Sequence, residues 1–233
     1  EYFSWRTALG LLGAICFICS IAFLKLLPAS RNFVQKKGLN LGFHMQMWRA
    51  HLSNTKLLRL FAIGFLLTSV FVTLFNYIGY RLMMSPWSLS QAVVGLLSVA
   101  YLTGTWSSPK AGAMTVRYGR GPVMLGFTGV MLCGLLMTLF SSLWLIFIGM
   151  LLFSAGFFAA HSVASSWIGP RARRARGQAS SLYLFSYYLG SSLAGTLGGV
   201  FWHRYGWNGV GGFIALLLLA ALLTGTCLYR RLK

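Results

Sequence analysis

The chain has 233 residues, 57% of them hydrophobic and 9% charged, and its 20 Lys and Arg stand against a single acid, Glu1, for a net charge of +19. In a soluble protein such a charge would indicate nucleic-acid binding. Here the basic residues are dispersed in short segments between long apolar stretches. We therefore expect a protein that crosses a membrane several times and has no nucleic-acid partner. Carboxylate-based ion coupling within the predicted spans is excluded.

Seven apolar stretches are each near the length of about 20 residues that a helix needs to cross the hydrocarbon core. In chain order, the predicted spans are residues 7–27, 58–80, 91–108, 123–140, 143–168, 180–202 and 207–229. The region 123–169 contains no Lys, Arg, Asp or Glu and is too long for one crossing. We expect it to turn back at Ser141 and Ser142. The predicted fold class is an all-α membrane protein.

The basic residues alternate between the two sides of these spans. Of the 20 Lys and Arg, all but Arg6, Arg81 and Arg204 fall in every second gap or in the C-terminal tail. Loops rich in Lys and Arg stay in the cytoplasm. The pattern predicts a bacterial cytoplasmic (inner) membrane protein in which the N-terminus of this chain is periplasmic and the C-terminus is cytoplasmic. The basic loops are expected to contact anionic headgroups of the lipid bilayer.

The longest gap suggests a division of the chain. Residues 29–57 are predicted to be a cytoplasmic linker between a helix in 1–28 and a six-helix bundle in 58–233. Within the linker, Leu41, Met45, Trp48 and Leu52 recur at helical spacing, which indicates a short helix on the cytoplasmic leaflet, although an ordinary linker is an equal alternative. The chain lacks an initiator Met although its start is predicted to lie outside, so we expect further helices before it.

Four spans carry polar and aromatic side chains at helical spacing. They are Ser69, Thr73, Asn76 and Tyr80; Gln91, Ser98, Tyr101 and Thr105; Ser154, Phe157, His161 and Ser165; and Tyr183, Tyr187 and Ser191. For any single hydroxyl, packing or a bond to its own helix is the simpler explanation. His161 is the sharpest candidate because it is the one histidine near the middle of a span, and an imidazole can exchange protons near neutral pH. The alternative is a neutral imidazole bonded to a nearby hydroxyl.

Enzymatic and metal sites are not expected. The sequence has no H-E-x-x-H motif, no Asp dyad and no Ser, His and acid set, so the chain is predicted to be neither an enzyme nor a cofactor or metal carrier. Cys16 and Cys19 stand at mid-span on an apolar helix, which is a poor setting for a metal. A retinal protein would need a Lys in the last span, and 207–229 has none. A seven-helix receptor or scaffold without transport activity remains the alternative class.

The segment GAMTVRYGRGPVM, residues 112–124, resembles the cytoplasmic signature G-x-x-x-D-R-x-G-R-R of the major facilitator superfamily. Gly112, Arg117, Gly119 and Arg120 match that signature, whereas Val116 replaces its Asp. Gly121 replaces its last Arg. The segments FSWRTALGLL, FVTLFNYIGYRLMMSPW, AYLTGTWSSPKAGA and RGQASSLYLFSYYLGSSLAGTLGGVFW extend the likeness over the whole chain.

The resemblance implies a major facilitator fold in which this chain supplies one outer helix of the N-terminal half and the six-helix C-terminal half. It implies a secondary transporter of a small organic solute that works by alternating access. Efflux, as an antiporter, is favoured over uptake, which stays an alternative. Protons are a possible coupling partner, and the missing N-terminal half is a necessary one. The implied substrate-binding residues are Asn76, Tyr80, Tyr101, His161, Ser165, Tyr183 and Tyr187. The implied gating residues are Gly112, Arg117, Gly119 and Arg120.

Overall fold

The computed structural model describes residues 4–28, 41–172 and 174–230, and every regular element in these ranges is helical. The prediction of an all-α protein is confirmed. The elements are α1 (Trp5–Leu26), α2 (Leu41–Leu52), α3 (Thr55–Met83), α4 (Gln91–Gly95), a 3₁₀ segment (Leu96–Leu102), α5 (Thr103–Tyr118), α6 (Arg120–Met137), α7 (Leu143–Arg171) and α8 (Arg176–Arg230).

Five of the described helices are long and apolar enough to cross a membrane, namely α1, α3, α6, α7 and α8, whereas the sequence predicted seven spans. One difference lies in α8, whose 55 residues contain both of the last two predicted spans. Gly206 has non-helical backbone angles, φ 59° and ψ −147°, and divides this element into two helices. The last two predicted spans therefore correspond to the two parts of α8.

The third predicted span, residues 91–108, is not one α-helix. It comprises α4, the 3₁₀ segment and the start of α5. Three hydroxyls in this region donate to carbonyls three residues earlier: Ser98 to Gly95, Thr103 to Ala100 and Thr105 to Leu102, at 2.6–2.7 Å. Such side-chain bonds compete with the regular α-helical ladder. They accompany the tighter 3₁₀ geometry that interrupts the span.

The two turns that flank α6 differ in how well the sequence predicted them. The turn expected at Ser141 and Ser142 is confirmed, since α6 ends before it and α7 begins at Leu143. The loop expected between residues 108 and 123 is mostly helical instead, because α5 continues to Tyr118 and only Gly119 separates it from α6. Gly119 has φ 82° and ψ 160°, a conformation essentially confined to glycine, and its N–H donates to the Thr115 carbonyl at 3.0 Å.

The chain divides into two compact units, Glu1–Asn40 and Leu41–Lys233. In the first, α1 has no buried residue and begins at Ser4, whose Oγ accepts from the Arg6 N–H. In the second, the short helix predicted around Met45 is present as α2, which contacts α3 and α8. The Nδ1 atom of His44 in α2 contacts the Nε2 atom of Gln178 in α8. The position of α2 on a membrane surface and the boundaries 1–28, 29–57 and 58–233 stay predictions.

Helix α3 is the most buried element of the second unit and packs on α7 and α8. The crossing with α8 is close because small residues of α8 face α3. A Cβ added at Gly190 would lie 2.3 Å from the Phe65 carbonyl oxygen, and one at Gly198 would lie 2.6 Å from the Tyr77 ring. Helices α6 and α7 cross in the same way at Gly134 and Gly149. These crossings fix which side chains of the helices can meet.

Candidate functional site

A group of rings from α3, the 3₁₀ segment, α7 and α8 forms what we call the aromatic cluster. Its members are Phe71, Phe75, Tyr101, Phe157, Phe158, His161, Tyr183 and Tyr187. Phe71 of α3 links the others, because its ring stacks on Phe157 with centroids 3.9 Å apart and lies 5.3 Å from Tyr101. The close crossings of α3 bring these elements within reach of one another. The cluster is therefore continuous across four elements.

His161 of α7 is the polar centre of the aromatic cluster. Its Nδ1 is hydrogen-bonded to the Tyr183 hydroxyl at 3.0 Å. Its ring stacks on Phe157 at 5.7 Å and lies 4.9 Å from the Tyr187 ring. A neutral imidazole can accept from or donate to a hydroxyl, depending on its tautomer. This geometry matches the alternative in which His161 is a neutral imidazole paired with a hydroxyl.

The structure brings together four of the seven predicted substrate-binding residues, namely Tyr101, His161, Tyr183 and Tyr187. Tyr183 is 2% exposed, whereas Tyr101 is 42% exposed. The buried phenol therefore supports the histidine, and the phenol of the 3₁₀ segment is open to a ligand. An open aromatic surface next to a few hydrogen-bonding groups suits an amphipathic organic molecule.

The other three predicted substrate-binding residues lie elsewhere. Tyr80 packs on Trp202 of α8, with centroids 6.1 Å apart, and Asn76 is exposed beside Gly195. Both lie on the side of α3 that faces α8. Ser165 donates to the Ser162 carbonyl of its own helix at 3.1 Å. The structure does not join these residues to the aromatic cluster.

Three of the four predicted gating residues lie at the α5–α6 turn, and the fourth, Gly112, lies within α5. Gly112 faces open space, and Arg117 is exposed with its guanidinium 5.2 Å from the Tyr118 ring. Gly119 forms the turn, and Arg120 begins α6. No Asp or Glu occurs in the described ranges, so neither Arg has a carboxylate partner there. Their gating role stays a prediction.

Sequence reasoning missed Phe71, Phe75 and Phe158 as members of the aromatic cluster. The spacing of Phe71 and Phe75, four residues apart, would have placed them on one side of α3. In a span rich in aliphatic residues, however, that spacing does not distinguish a ligand-facing ring from one that packs. Only the stack on Phe157 reveals the role of Phe71.

A second group that the sequence did not reveal is the arginine clamp, formed by Arg81, Trp87 and Trp207. The Arg81 guanidinium lies between the two indoles, 4.9 Å from Trp87 and 5.4 Å from Trp207. It donates through Nη1 to the Thr138 carbonyl and through Nη2 to the Phe140 carbonyl at 2.9 Å. Trp207 Nε1 donates to the Thr138 carbonyl at 3.0 Å. The clamp thus joins α3 and α8 to the turn between α6 and α7.

Comparison with known proteins gives a consistent result. The family model described as Major Facilitator Superfamily matches residues 60–233. The chain is 71% identical, over 236 aligned residues, to the inner membrane transport protein YnfM of Escherichia coli (strain K12), and the match covers 100% of this chain and 55% of that protein.

More distant relatives show the same pattern. An uncharacterized transporter of Buchnera aphidicola subsp. Schizaphis graminum is 48% identical, over 96% of this chain and 54% of its own length. The uncharacterized MFS-type transporter YybF of Bacillus subtilis (strain 168) is 43% identical, over 100% of this chain and 57% of its own length. The chain spans about half the length of the curated relatives that it matches.

Proposed function

This chain belongs to the major facilitator superfamily, and from that membership we propose that it forms part of a secondary transporter for small organic solutes that works by alternating access. It is not an enzyme. The observation that carries the proposal is the likeness to YnfM over the whole chain. Because the chain corresponds to about half of such relatives, we propose that transport requires a facing half that lies outside residues 1–233.

We place the solute-binding part of this chain at the aromatic cluster. Tyr101, Tyr187 and His161 offer rings and polar atoms to a ligand, and Tyr183 holds the imidazole in place. Asn76, Tyr80 and Ser165, which the structure separates from this group, are left out of the proposed site. Rings with a few hydrogen-bonding atoms favour a solute with a planar apolar part and one polar group.

We propose that the transporter exports its solute from the cytoplasm in exchange for protons. The sole acid of the chain, Glu1, precedes every predicted span. The carboxylates that would carry protons must then belong to the facing half, with His161 as the one candidate proton acceptor near the middle of a span here. Arg117 and Arg120 lie next to the Gly119 turn, where they could respond to the movement of α5 against α6.

Flux measurements with a chimera test the proposal. The part of the E. coli relative that the match does not cover would be fused to this chain. The chimera would be expressed in bacterial cells, and everted inner-membrane vesicles would be prepared from them. A panel of radiolabelled amphipathic aromatic solutes would be screened with and without an imposed proton gradient. We expect gradient-dependent accumulation of at least one solute by the chimera and none by residues 1–233 alone.

Matched histidine variants locate the site. His161→Gln in the chimera is expected to raise the KM for that solute about tenfold or more, since loss of a hydrogen bond to a ligand leaves a buried group unpaired. His203→Gln, at an exposed position of α8, is expected to leave KM unchanged. Flux by residues 1–233 alone would overturn the need for a facing half. Equal effects of the two substitutions would overturn the placement of the site.

A further inference from the structure

A polar cavity of about 680 Å³ lies where α2, the start of α3 and the end of α7 meet. We call it the basic cavity, because His51, Lys56, Arg171 and Arg174 are among its lining residues. None of these residues belongs to the aromatic cluster or to the α5–α6 turn. All of them lie on the side that charge distribution predicts to be cytoplasmic.

The first observation is an uncompensated positive charge. Lys56 lies in the first turn of α3, a position where the helix dipole already favours anions, and no acidic residue occupies that turn. Arg174, just beyond the end of α7, adds a second cation, and Arg171 adds a third in the last turn of α7, where the helix dipole favours a cation. The chain has one acid, Glu1, and none in the described ranges. The described structure therefore holds no carboxylate that could neutralise these groups.

The second observation is independent of the first and concerns His51. This residue of α2 lines the basic cavity and is 6% exposed. Its Nε2 atom is buried and has no hydrogen-bond partner among the described residues. Buried polar atoms are nearly always paired, so an unpaired one indicates a missing partner. Because Nε2 is fully buried, an anion in the cavity would become its acceptor only after the imidazole turns toward the cavity.

We propose that the basic cavity binds a phosphate group. Lys and Arg form short, charge-assisted bonds to phosphate oxygens, and a helix N-terminus adds a favourable dipole. Asn54 caps α3 by accepting from the Lys56 and Leu57 N–H groups at 3.0 and 3.3 Å. The ligand is therefore expected to bind mainly through side chains. It is either the headgroup of an anionic phospholipid or a soluble phosphate compound.

The test measures thermal unfolding of the purified 233-residue protein in detergent. Dioctanoyl phosphatidylglycerol, dioctanoyl phosphatidylcholine and inorganic phosphate at matched ionic strength are titrated separately. A ligand that binds only the folded state raises the Tm in a saturable way. We expect phosphatidylglycerol to raise it and phosphatidylcholine to leave it unchanged. Saturation by phosphatidylglycerol alone identifies a lipid headgroup, and saturation by inorganic phosphate as well identifies a site that also takes soluble phosphate compounds.

Charge variants show whether the basic cavity is responsible for the ligand binding that raises the Tm. Lys56→Gln/Arg171→Gln is expected to weaken binding about tenfold or more. The matched control Lys110→Gln/Arg230→Gln removes two charges on the same predicted side of the membrane and is expected to bind as the unsubstituted protein does. Lys56→Arg/Arg171→Lys conserves both charges and is expected to stay within about threefold of the unsubstituted protein, since the geometry of the donors changes but their charge does not.

Two results would overturn the proposal. One is the absence of a saturable Tm increase with both anionic ligands, phosphatidylglycerol and inorganic phosphate. The other is an equal loss of binding in Lys110→Gln/Arg230→Gln and Lys56→Gln/Arg171→Gln, which would indicate attraction to the whole basic surface. If Lys56→Gln/Arg171→Gln does not fold, Arg174→Gln replaces it, because Arg174 is exposed and its substitution should not affect folding. Arg174→Gln is expected to weaken binding by about threefold or more. Unchanged binding in this variant would contradict the proposal.

Discussion

At the residue scale, the pair formed by His161 and Tyr183 determines the chemistry that the aromatic cluster offers. The Tyr183 hydroxyl is buried and bonded to Nδ1 of the imidazole, and the Tyr187 ring lies 4.9 Å from the imidazole ring. A hydrogen bond with a fixed phenol orients the imidazole and leaves its second nitrogen for another partner. In the proposed transporter, that nitrogen is the one polar atom of His161 that a solute could contact.

The pair also contributes to stability, and a single substitution measures how much. Tyr183→Phe keeps the ring but removes the hydroxyl, so one hydrogen bond is lost and Nδ1 of His161 is left without its partner. We expect the free energy of unfolding, measured by titration with a denaturing detergent, to fall by about 1 kcal/mol. Tyr188→Phe is the control, since Tyr188 is 65% exposed. A similar loss in both variants would show that the buried hydrogen bond contributes no more to the free energy of unfolding than an exposed hydroxyl does.

At the element scale, the close crossing of α3 and α8 is what brings the site together. Gly190 lies against the backbone of Phe65, and the Ser69 hydroxyl donates to the Gly190 carbonyl at 3.1 Å. One turn earlier on α8, Tyr187 reaches His161, and Tyr183 lies against Gly64. Separation of the two helices would therefore move two tyrosines of the aromatic cluster away from α7.

Gly190→Ala tests this crossing. Its Cβ would lie 2.3 Å from the Phe65 carbonyl oxygen, so the helices must move apart, and we expect a loss of about 2 kcal/mol in the free energy of unfolding. Gly212→Ala on the same element has no atom within 4 Å of the new Cβ. It is expected to be neutral or stabilising by up to about 1 kcal/mol, because alanine favours the helix. Equal stability of the two variants would contradict the close crossing.

At the scale of the whole molecule, the arginine clamp ties distant parts of the second unit together. Arg81 lies in the last turn of α3, Trp207 begins the last part of α8, and both donate to the Thr138 carbonyl at the end of α6. Trp87 Nε1 donates to the Ser141 carbonyl at 3.1 Å. Carbonyls at a helix C-terminus lack partners within the helix, and a cation there is favoured by the helix dipole. The clamp therefore joins three helices at one end of the unit.

Arg81→Met removes the charge and both hydrogen bonds but retains much of the side-chain volume. We expect the free energy of unfolding to fall by about 2–3 kcal/mol, because hydrogen bonds from a charged donor are stronger than neutral ones. Arg204→Met, at an exposed position of α8, is the matched control and is expected to change stability by less than about 0.5 kcal/mol. Detergent titration of both variants measures the difference. A loss confined to Arg204→Met, or none in either variant, would contradict the clamp.

Several features of the fold could be predicted from the sequence for a simple physical reason. Long apolar stretches without charge must be helical in a bilayer, because each backbone group needs an internal partner. This reasoning gave the helices, and the charge-free length of residues 123–169 gave the turn at Ser141. It did not give the 3₁₀ segment or the single-residue turn at Gly119, since local hydroxyl bonds and backbone angles leave little trace in hydropathy.

The sequence by itself determined that the chain is an all-α membrane protein with a major facilitator signature, because hydropathy, charge distribution and motif spacing are properties of each segment alone. Only the tertiary structure decided that Tyr101, His161, Tyr183 and Tyr187 form one group, while Asn76 lies beside Gly195 and Tyr80 packs on Trp202. It also decided where the arginine clamp and the basic cavity lie. The physical reason is that helical period places residues on one side of a helix, whereas packing of small residues at the crossings sets which sides meet.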